Sequence, residues 1–485
     1  MLLARRTPPV HPPAAALKLS RAINPLDRVL LFWRNLSAPA LFVASIAGLI
    51  FVGTLGLLYI PGLYTGAPLG FVDALFTITS AACTTGLAVA DPATRFTFWG
   101  QLWLLLFVQL GGVGLITLTS LIIGVLGRRL SIRSEMIAGA PAELVGGRDL
   151  RHLLVAVLRF SLAIEAVGAF ALGLAFLRTM GPVDAIWPAV FHAITAFCNA
   201  GVSLFPGSMA AWANDPPVLI FVSALLVLGS IGYLATEELL RWWRRGGARG
   251  PLRLSTHTFA VLSMTALLLG VGFLLFAVFE WNGVLGELGF VDKLVNAWFM
   301  SASSRTAGFH TVPYDQVGNE TAYLTILLMV VGGSPGSTAG GIKTTALAVL
   351  LALALQRVRG RRNAVIHHRS IPDGTVERTI SLVLLAFVVM TFAIFWLSFT
   401  ETRGMDLEEA RAAFLPIFFE VVSAFGTTGL SMEVTPGLSD VGKLTVILLM
   451  FVGRVGPLSF FAAISIKARA SLREVRPARE DVIIG

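Results

Sequence analysis

Cys83-Thr84-Thr85-Gly86 closes a short apolar stretch, residues 71–83, and its pattern returns three times. The second copy is Cys198-Asn199-Ala200-Gly201, the third Arg305-Thr306-Ala307-Gly308 and the fourth Gly426-Thr427-Thr428-Gly429. Each ends a half-apolar stretch of similar length: 71–83, 185–198, 290–304 and 412–425. The closing glycines lie 115, 107 and 121 residues apart. A glycine cluster follows each tetrad, and matching its members as Gly112, Gly229, Gly333 and Gly453 gives spacings of 26, 28, 25 and 24 residues. Self-similarity at a fixed long period is the mark of a repeat architecture. The unit reads helix, half-helix, short extended loop, helix.

The composition around these tetrads excludes a soluble fold. Charged residues are 13% of the 485 and hydrophobic residues 55%, with a mean hydropathy of +0.79. Ordinary soluble domains carry about 25% charged residues. Disorder, a coiled coil and a disulfide-rich secreted scaffold are excluded on the same grounds. What remains is an all-α integral membrane protein. A membrane helix needs about 20 mostly apolar residues. Eight stretches qualify: 39–60, 100–127, 152–177, 217–242, 255–280, 322–356, 377–400 and 441–467. The four tetrad stretches are too short to span and suit re-entrant half-helices, which are tolerated at membrane depth where protein buries them or they line a water-filled cavity.

Charge sets the expected orientation. The net charge is +9. With the N-terminus inside, Arg95, Arg178, Lys293, Arg403, Arg411 and Lys443 fall outside, and Arg159, Arg305, Lys343 and Arg454 at membrane depth. Every other Lys and Arg is then cytoplasmic, as the positive-inside rule requires. The clusters Arg128/Arg129/Arg133, Arg241/Arg244/Arg245 and Arg357/Arg359/Arg361/Arg362 carry most of that bias. The expected organisation is a cytoplasmic tail over 1–38 and pore repeats over 39–127, 152–242, 255–356 (its second helix broken) and 377–467. A cytoplasmic tail over 468–485 follows. Four repeats of helix, pore helix and helix would surround one pseudo-fourfold pore. The localisation expected is a plasma membrane, crossed several times, with both termini cytoplasmic.

A half-helix entering from outside points its C-terminal end, with roughly −0.5 charge, at the membrane centre. Four such ends around one axis favour a cation, and rings of backbone carbonyls can replace the hydration shell of K+. Glycine allows the positive φ and close backbone approach that such loops need. Thr84, Thr85, Gly86, Asn199, Ala200, Gly201, Thr306, Ala307, Gly308, Thr427, Thr428 and Gly429 are therefore expected to form a selectivity filter, with K+ held by main-chain oxygens.

The second span of the third repeat is anomalous. Residues 332–341 read Gly332-Gly333-Ser334-Pro335-Gly336-Ser337-Thr338-Ala339-Gly340-Gly341, followed by Ile342 and Lys343. Five glycines and a proline cannot continue a helix. The stretch is expected to break the span below the filter as an intramembrane gate. A charge at membrane depth costs at least about 2.5 kcal/mol, so Lys343 needs a reason to be there. Arg454, in Gly453-Arg454-Val455-Gly456, is the fourth repeat's counterpart of the break, and freed carbonyls of 332–341 would serve as its acceptors. The spacing also brushes a phosphate loop, but Ile342 intervenes before Lys343 and no buried strand precedes it. Arg305 would either hold the third loop or lower its cation affinity. Glu420 would be an external cation relay or a partner for Arg305, and Glu165 lies within the third span. Cys83 and Cys198 fit small apolar packing, and no zinc or iron–sulfur pattern surrounds them. His367, His368 and Arg369 form a basic cytoplasmic patch.

These features together resemble the Trk/Ktr/HKT superfamily of potassium transporters over about residues 39–485. Its most specific pieces are Ser304-Arg305-Thr306-Ala307-Gly308-Phe309 and the run from Gly333 to Thr345, which looks like the superfamily's gating loop. Arg454 matches the arginine that contacts that loop. Eight spans without an extra N-terminal pair look more like the KtrB branch than the TrkH branch. The resemblance implies K+ uptake, a homodimer with one pore per subunit and often Na+ stimulation. It also implies a cytoplasmic, nucleotide-sensing RCK ring, the octameric KtrA-like subunit, as regulatory partner. Glycine at all four filter positions favours K+ over Na+. An alternating-access secondary transporter is the alternative, since that class also uses broken spans. An enzyme is not expected: the seven histidines are scattered over tail, spans and loops.

Overall fold

A computed structural model describes residues 38–113, 147–244, 254–361, 363–457 and 460. The expectations for 1–37, 114–146 and 461–485, including the Arg128 cluster and most of both tails, lie outside those residues.

Long apolar sequences form the long helices: α1 (Ala38–Tyr59) and, after a short helix α2 (Phe71–Ala82) and α3 (Phe98–Gly112), α4 (Gly147–Phe176). The second unit continues with α5 (Pro182–Phe197), α6 (Pro216–Ile231) and α7 (Tyr233–Arg244). The third is α8 (Thr256–Glu280), α9 (Phe290–Ser303), α10 (Asn319–Val330) and α11 (Thr344–Val358), and the fourth α12 (Asp373–Glu401), α13 (Phe414–Gly426) and α14 (Asp440–Val455). Among the described residues, α1, α4, α8 and α12 are long and apolar enough to cross a membrane, and the bent pair α6–α7 makes a fifth candidate.

The four tetrad stretches are helices α2, α5, α9 and α13, as their apolar content predicts. The first three begin alike. Gly70, Gly181 and Gly289 are extended N-caps, and Asp73, Asp184 and Asp292 sit in the first turn, where a negative charge complements the helix dipole. The fourth lacks an acidic residue in its first turn. In the first, second and fourth repeats the short helix packs on both of its own flanking helices, and in the third α9 packs on α8. The ring is closed by the inner helices: α3 packs on α5, α6 on α9, α10 on α13, and α14 returns to α2.

Glycines explain how the helices approach so closely. A Cβ at Gly111, Gly229 or Gly453 would collide with the carbonyl oxygen of Ala82, Phe197 or Phe425, the residue just before the tetrad in each case. This corrects the spacing match in the first repeat. Gly111, not Gly112, is the counterpart of Gly229 and Gly453, while Gly112 lies against the Cys198 side chain. Gly333 has no such role and packs on Ala339 and Ser337 within its own loop.

Two spans expected to be continuous are not. Residues 217–242 bend by 103° between α6 and α7, at Gly232 (φ +89°). In the fourth unit α14 ends at Val455, capped by Gly456 (φ +85°). The span 322–356 is broken as its glycines require, between Val330 and Thr344. On the basic loop that follows α11, strands β1 (Val365–Ile366) and β2 (Arg369–Ser370) form a hairpin whose turn residues His367 and His368 both have positive φ.

Candidate conduction site

The four helix ends share one local solution. The second tetrad residue is left-handed in every repeat: Thr84 (φ 51°), Asn199 (53°), Thr306 (68°) and Thr427 (51°). In the first, second and fourth repeats the next amide reaches back across the last turn. Thr85 N–H donates to Ser80 O (2.8 Å), Ala200 to Thr195 O (2.9 Å) and Thr428 to Ser423 O (2.8 Å). Those are the bonds of a Schellman ending, with Thr or Asn where glycine is usual. The third repeat departs: Ala307 N–H donates to Ser303 O at 3.0 Å. The glycine two residues further on is again left-handed, at φ 96°, 63°, 79° and 94° for Gly86, Gly201, Gly308 and Gly429. Sequence reasoning missed Ser80 and Ser423, whose Oγ atoms each accept the amide of their repeat's glycine at 3.0 Å. Their matched place six residues before the glycine was the available signal.

The structure brings the twelve expected filter residues to one place, and in cyclic order. A Cβ on Gly86 would stand 3.0 Å from the Cα of Gly201, and one on Gly201 3.0 Å from that of Gly308. From Gly308 the next Cα is Gly429 at 3.2 Å, and from Gly429 it is Gly86 at 3.0 Å. Each glycine also abuts the carbonyl of the residue before the next one: Ala200, Ala307, Thr428 and Thr85. No side chain fits between these backbones. Buried oxygens without a protein partner gather at the same ring: Thr85, Thr306, Thr427 and Thr428 Oγ1 and Asn199 Oδ1.

Beside this ring lies the 332–341 loop. Its neck is tied where Val331 bridges Ile342, with Gly332 N–H donating to Ile342 O at 2.9 Å. It touches the left-handed residue of every repeat. Thr84 Oγ1 donates to Thr338 O (3.5 Å) and Asn199 Nδ2 to Thr338 Oγ1 (2.9 Å). Gly332 lies against the Thr306 methyl and Gly340 against the Thr427 side chain. One segment thus contacts all four members of the ring.

Thr338 is the hub. Its Oγ1 also donates toward Phe197 O (2.9 Å) and Gly229 O (3.1 Å), and its amide donates to Gly229 O (3.2 Å). Ser334 N–H takes Ser230 O, and Gly336 O accepts the Tyr233 amide. The loop thus satisfies the backbone that the α6–α7 bend exposes. Arg454 donates to Thr338 O and to Gly111 O, so the acceptor expected from the sequence is the one used. Arg305 Nη2 donates to Gly332 O at 3.4 Å, which puts its head group on the loop. Lys343 Nζ is turned back onto Ala339 O (2.7 Å) and Gly340 O (3.5 Å).

Glu420 is not a partner of Arg305. Its carboxylate accepts from Ser431 Oγ (2.7 Å) and Thr435 Oγ1 instead. Glu165 accepts both of its bonds from Gln109 Nε2 at 3.0 Å, and Cys198 Sγ donates to the same Gln109.

Three comparisons bear on this geometry. The TrkH family model, described as cation transport protein, matches residues 45–472. The chain is 34% identical to the potassium/sodium uptake protein NtpJ of Enterococcus hirae, over 87% of this chain and 91% of that one. It is 33% identical to the Ktr system potassium uptake protein B of Bacillus subtilis, over 91% and 96%. Among solved structures it resembles the potassium transporter TrkH of Vibrio parahaemolyticus, with a TM-score of 0.65, 19% identity and coverage of 91% and 86%. That last likeness speaks to the fold, which is mostly helical and TrkH-like. Matched along most of its length by sequence and by fold alike, the chain belongs to the TrkH family of cation transport proteins.

Proposed function

We propose that the chain takes up K+ across the plasma membrane through the ring of Thr84–Gly86, Asn199–Gly201, Thr306–Gly308 and Thr427–Gly429, gated by the 332–341 loop. The observation that carries this is the cyclic approach of four glycines with one loop in contact with all four repeats. In each repeat a left-handed residue, a residue of negative φ and a left-handed glycine follow one another. We infer from that alternation that successive carbonyls turn to the same side and face the axis. The four negative helix ends behind them add to the attraction for a cation. No carboxylate stands in the tetrads, so a dehydrated K+ would meet peptide oxygens and the unpartnered Thr and Asn oxygens.

Four similar loops on one axis favour a single pore over an alternating-access site built from two broken helices. The arrangement we infer is four repeats with eight spans and both termini cytoplasmic, with residues 39–127, 152–242, 255–356 and 377–467 as the repeats. Relatives named for the Ktr system support a cytoplasmic regulatory partner, and we infer an RCK ring acting on a homodimer. The printed name of NtpJ, with both potassium and sodium, supports Na+ as an activating or accompanying ion.

The test is Rb+ uptake into proteoliposomes of the pure protein, with K+, Na+ and Cs+ as competitors. Competition by K+ well ahead of Na+ is expected; equal competition, or no uptake, would end the reading. Arg454→Ala is expected to raise basal flux severalfold. The guanidinium ties the loop to α3, and a hydrogen bond to a charged group contributes about 1.5–3 kcal/mol. Unchanged flux in a variant that elutes and melts like the parent would make the arginine a static brace.

A further inference from the structure

The outer side of the ring carries a feature that only two repeats share. Nine residues before the filter glycine stand Thr77, His192, Phe299 and Glu420, and two residues after it Ala88, Ser203, His310 and Ser431. In the second and fourth repeats these positions are joined. His192 Nε2 lies 3.0 Å from Ser203 Oγ, and Glu420 accepts from Ser431 Oγ at 2.7 Å. In the first repeat Thr77 bonds within its own helix, to Asp73 O, and Ala88 offers no side-chain donor. In the third, Phe299 has no polar atom, and the loop is held through its backbone instead: His310 N–H donates to Ser208 Oγ (3.2 Å) and His310 O accepts the Met209 amide (2.8 Å).

Both joined pairs are built and buried. His192 is fully buried and Glu420 is 1% exposed. Pro188 O can only accept, so the His192 nitrogen 2.8 Å from it, Nδ1, carries the proton. Nε2 is then an acceptor, and it takes the Leu204 amide at 3.3 Å. The ring stacks on Phe205 at 4.7 Å and 12°, so three consecutive residues, Ser203, Leu204 and Phe205, are gripped by one imidazole. Glu420 grips its loop in two places, Ser431 and Thr435. Because the ring runs in repeat order, repeats two and four face each other across the axis.

We propose that His192 and Glu420 are positioning residues, a pair of opposed tethers that fix the outer mouth of the pathway and thereby set its discrimination among K+, Na+ and Cs+. Neither side chain is a tetrad residue; each acts through the loop it holds. A carbonyl ring selects K+ only if its oxygens resist collapsing onto the smaller Na+. Loops anchored on opposite sides resist such a collapse, whereas the third loop is held through its backbone by the second repeat's Ser208 and Met209. The proposal rests on the filter reading above.

The experiment measures competition of K+, Na+ and Cs+ against Rb+ uptake in proteoliposomes for Glu420→Met, Glu420→Gln, Ser431→Ala, Ser203→Ala and, as control, Gly308→Ser. Glu420→Met is expected to lower the K+-to-Na+ ratio about tenfold, the scale of losing hydrogen bonds to a charged group from one state. Ser431→Ala and Ser203→Ala, which each take away the tether's partner hydroxyl but leave the tether residue in place, should each lower it about threefold. Glu420→Gln keeps an acceptor oxygen and should retain most of the ratio. Should Glu420→Met fail to fold, the two serine variants decide, since each removes a single hydroxyl. Unchanged ratios in the tether variants, or flux reduced equally for all ions, would overturn the proposal while a shifted ratio in Gly308→Ser leaves the filter standing. Unchanged ratios in Gly308→Ser as well would take the filter reading down first.

Discussion

Deleting residues 334–340 is expected to raise basal K+ flux at least about tenfold, the consequence of removing some 1.4 kcal/mol or more of hold on the closed state. The loop's hold is visible bond by bond. Thr338 alone engages Asn199, Phe197 O and Gly229 O through its hydroxyl, and Arg454 and Thr84 through its carbonyl. Each such bond contributes about 0.5–1.5 kcal/mol net, so their sum is ample to keep a gate mostly shut. The deletion also strips partners from Gly229 O, Ser230 O and the Tyr233 amide at the α6–α7 bend, and it will cost stability. Thr338→Val separates the two effects. It keeps the shape and the backbone of the loop but loses every hydroxyl bond, and it should raise flux by about tenfold with a smaller drop in melting temperature. Rb+ uptake by proteoliposomes, read beside a thermal melt of the same preparation, checks both. Flux that stays flat or falls in Thr338→Val while the melt shifts would mean that the loop braces the helices and does not occlude the path.

Much of this was legible because the site is repeated. One x-(Thr/Asn)-(Thr/Ala)-Gly tetrad carries no information; four, each ending a short apolar helix, specify a ring. The break at 332–341 was equally plain, since its composition forbids a helix. Arg454 found its acceptor because a buried guanidinium must have one. The sequence did not reveal the bend at Gly232. Residues 217–236 carry no charge, so nothing local marks the bend, and its freed backbone is satisfied by Ser334, Gly336 and Thr338, a hundred residues away. Of the two readings open for Glu420, the pairing with Arg305 failed for a related reason. Opposite charges near the same tetrads invite a pair, yet two hydroxyls of the carboxylate's own loop, Ser431 and Thr435, reach it first. The choice of Gly112 over Gly111 was a one-residue slip. Only a packing partner, the Ala82 carbonyl, distinguishes the two.

Gly308→Ser is expected to lower discrimination for K+ over Na+ by about tenfold or more. Two independent physical costs meet at that position. The backbone is left-handed at φ 79°, a conformation that costs an L-residue about 1–2 kcal/mol. The added Cβ would also collide with Thr428 O, the carbonyl of the neighbouring repeat, and stand 3.2 Å from the Cα atoms of both Gly201 and Gly429. Relief requires moving one loop outward or turning the Thr428 carbonyl away, and either change removes a peptide oxygen from the ring. An ion that depends on a full set of carbonyls to replace its hydration loses more than one that keeps part of its water, so K+ suffers before Na+. Gly62 is the control, because it is left-handed at φ 81° with open space around its Cβ: Gly62→Ser carries the backbone cost without the collision. Competition assays on the two variants should therefore diverge, with the ion ratio altered in Gly308→Ser and unchanged in Gly62→Ser. If Gly308→Ser transports all ions in the parent's ratio, the glycines are there for packing, and the ring of carbonyls is not what selects the ion.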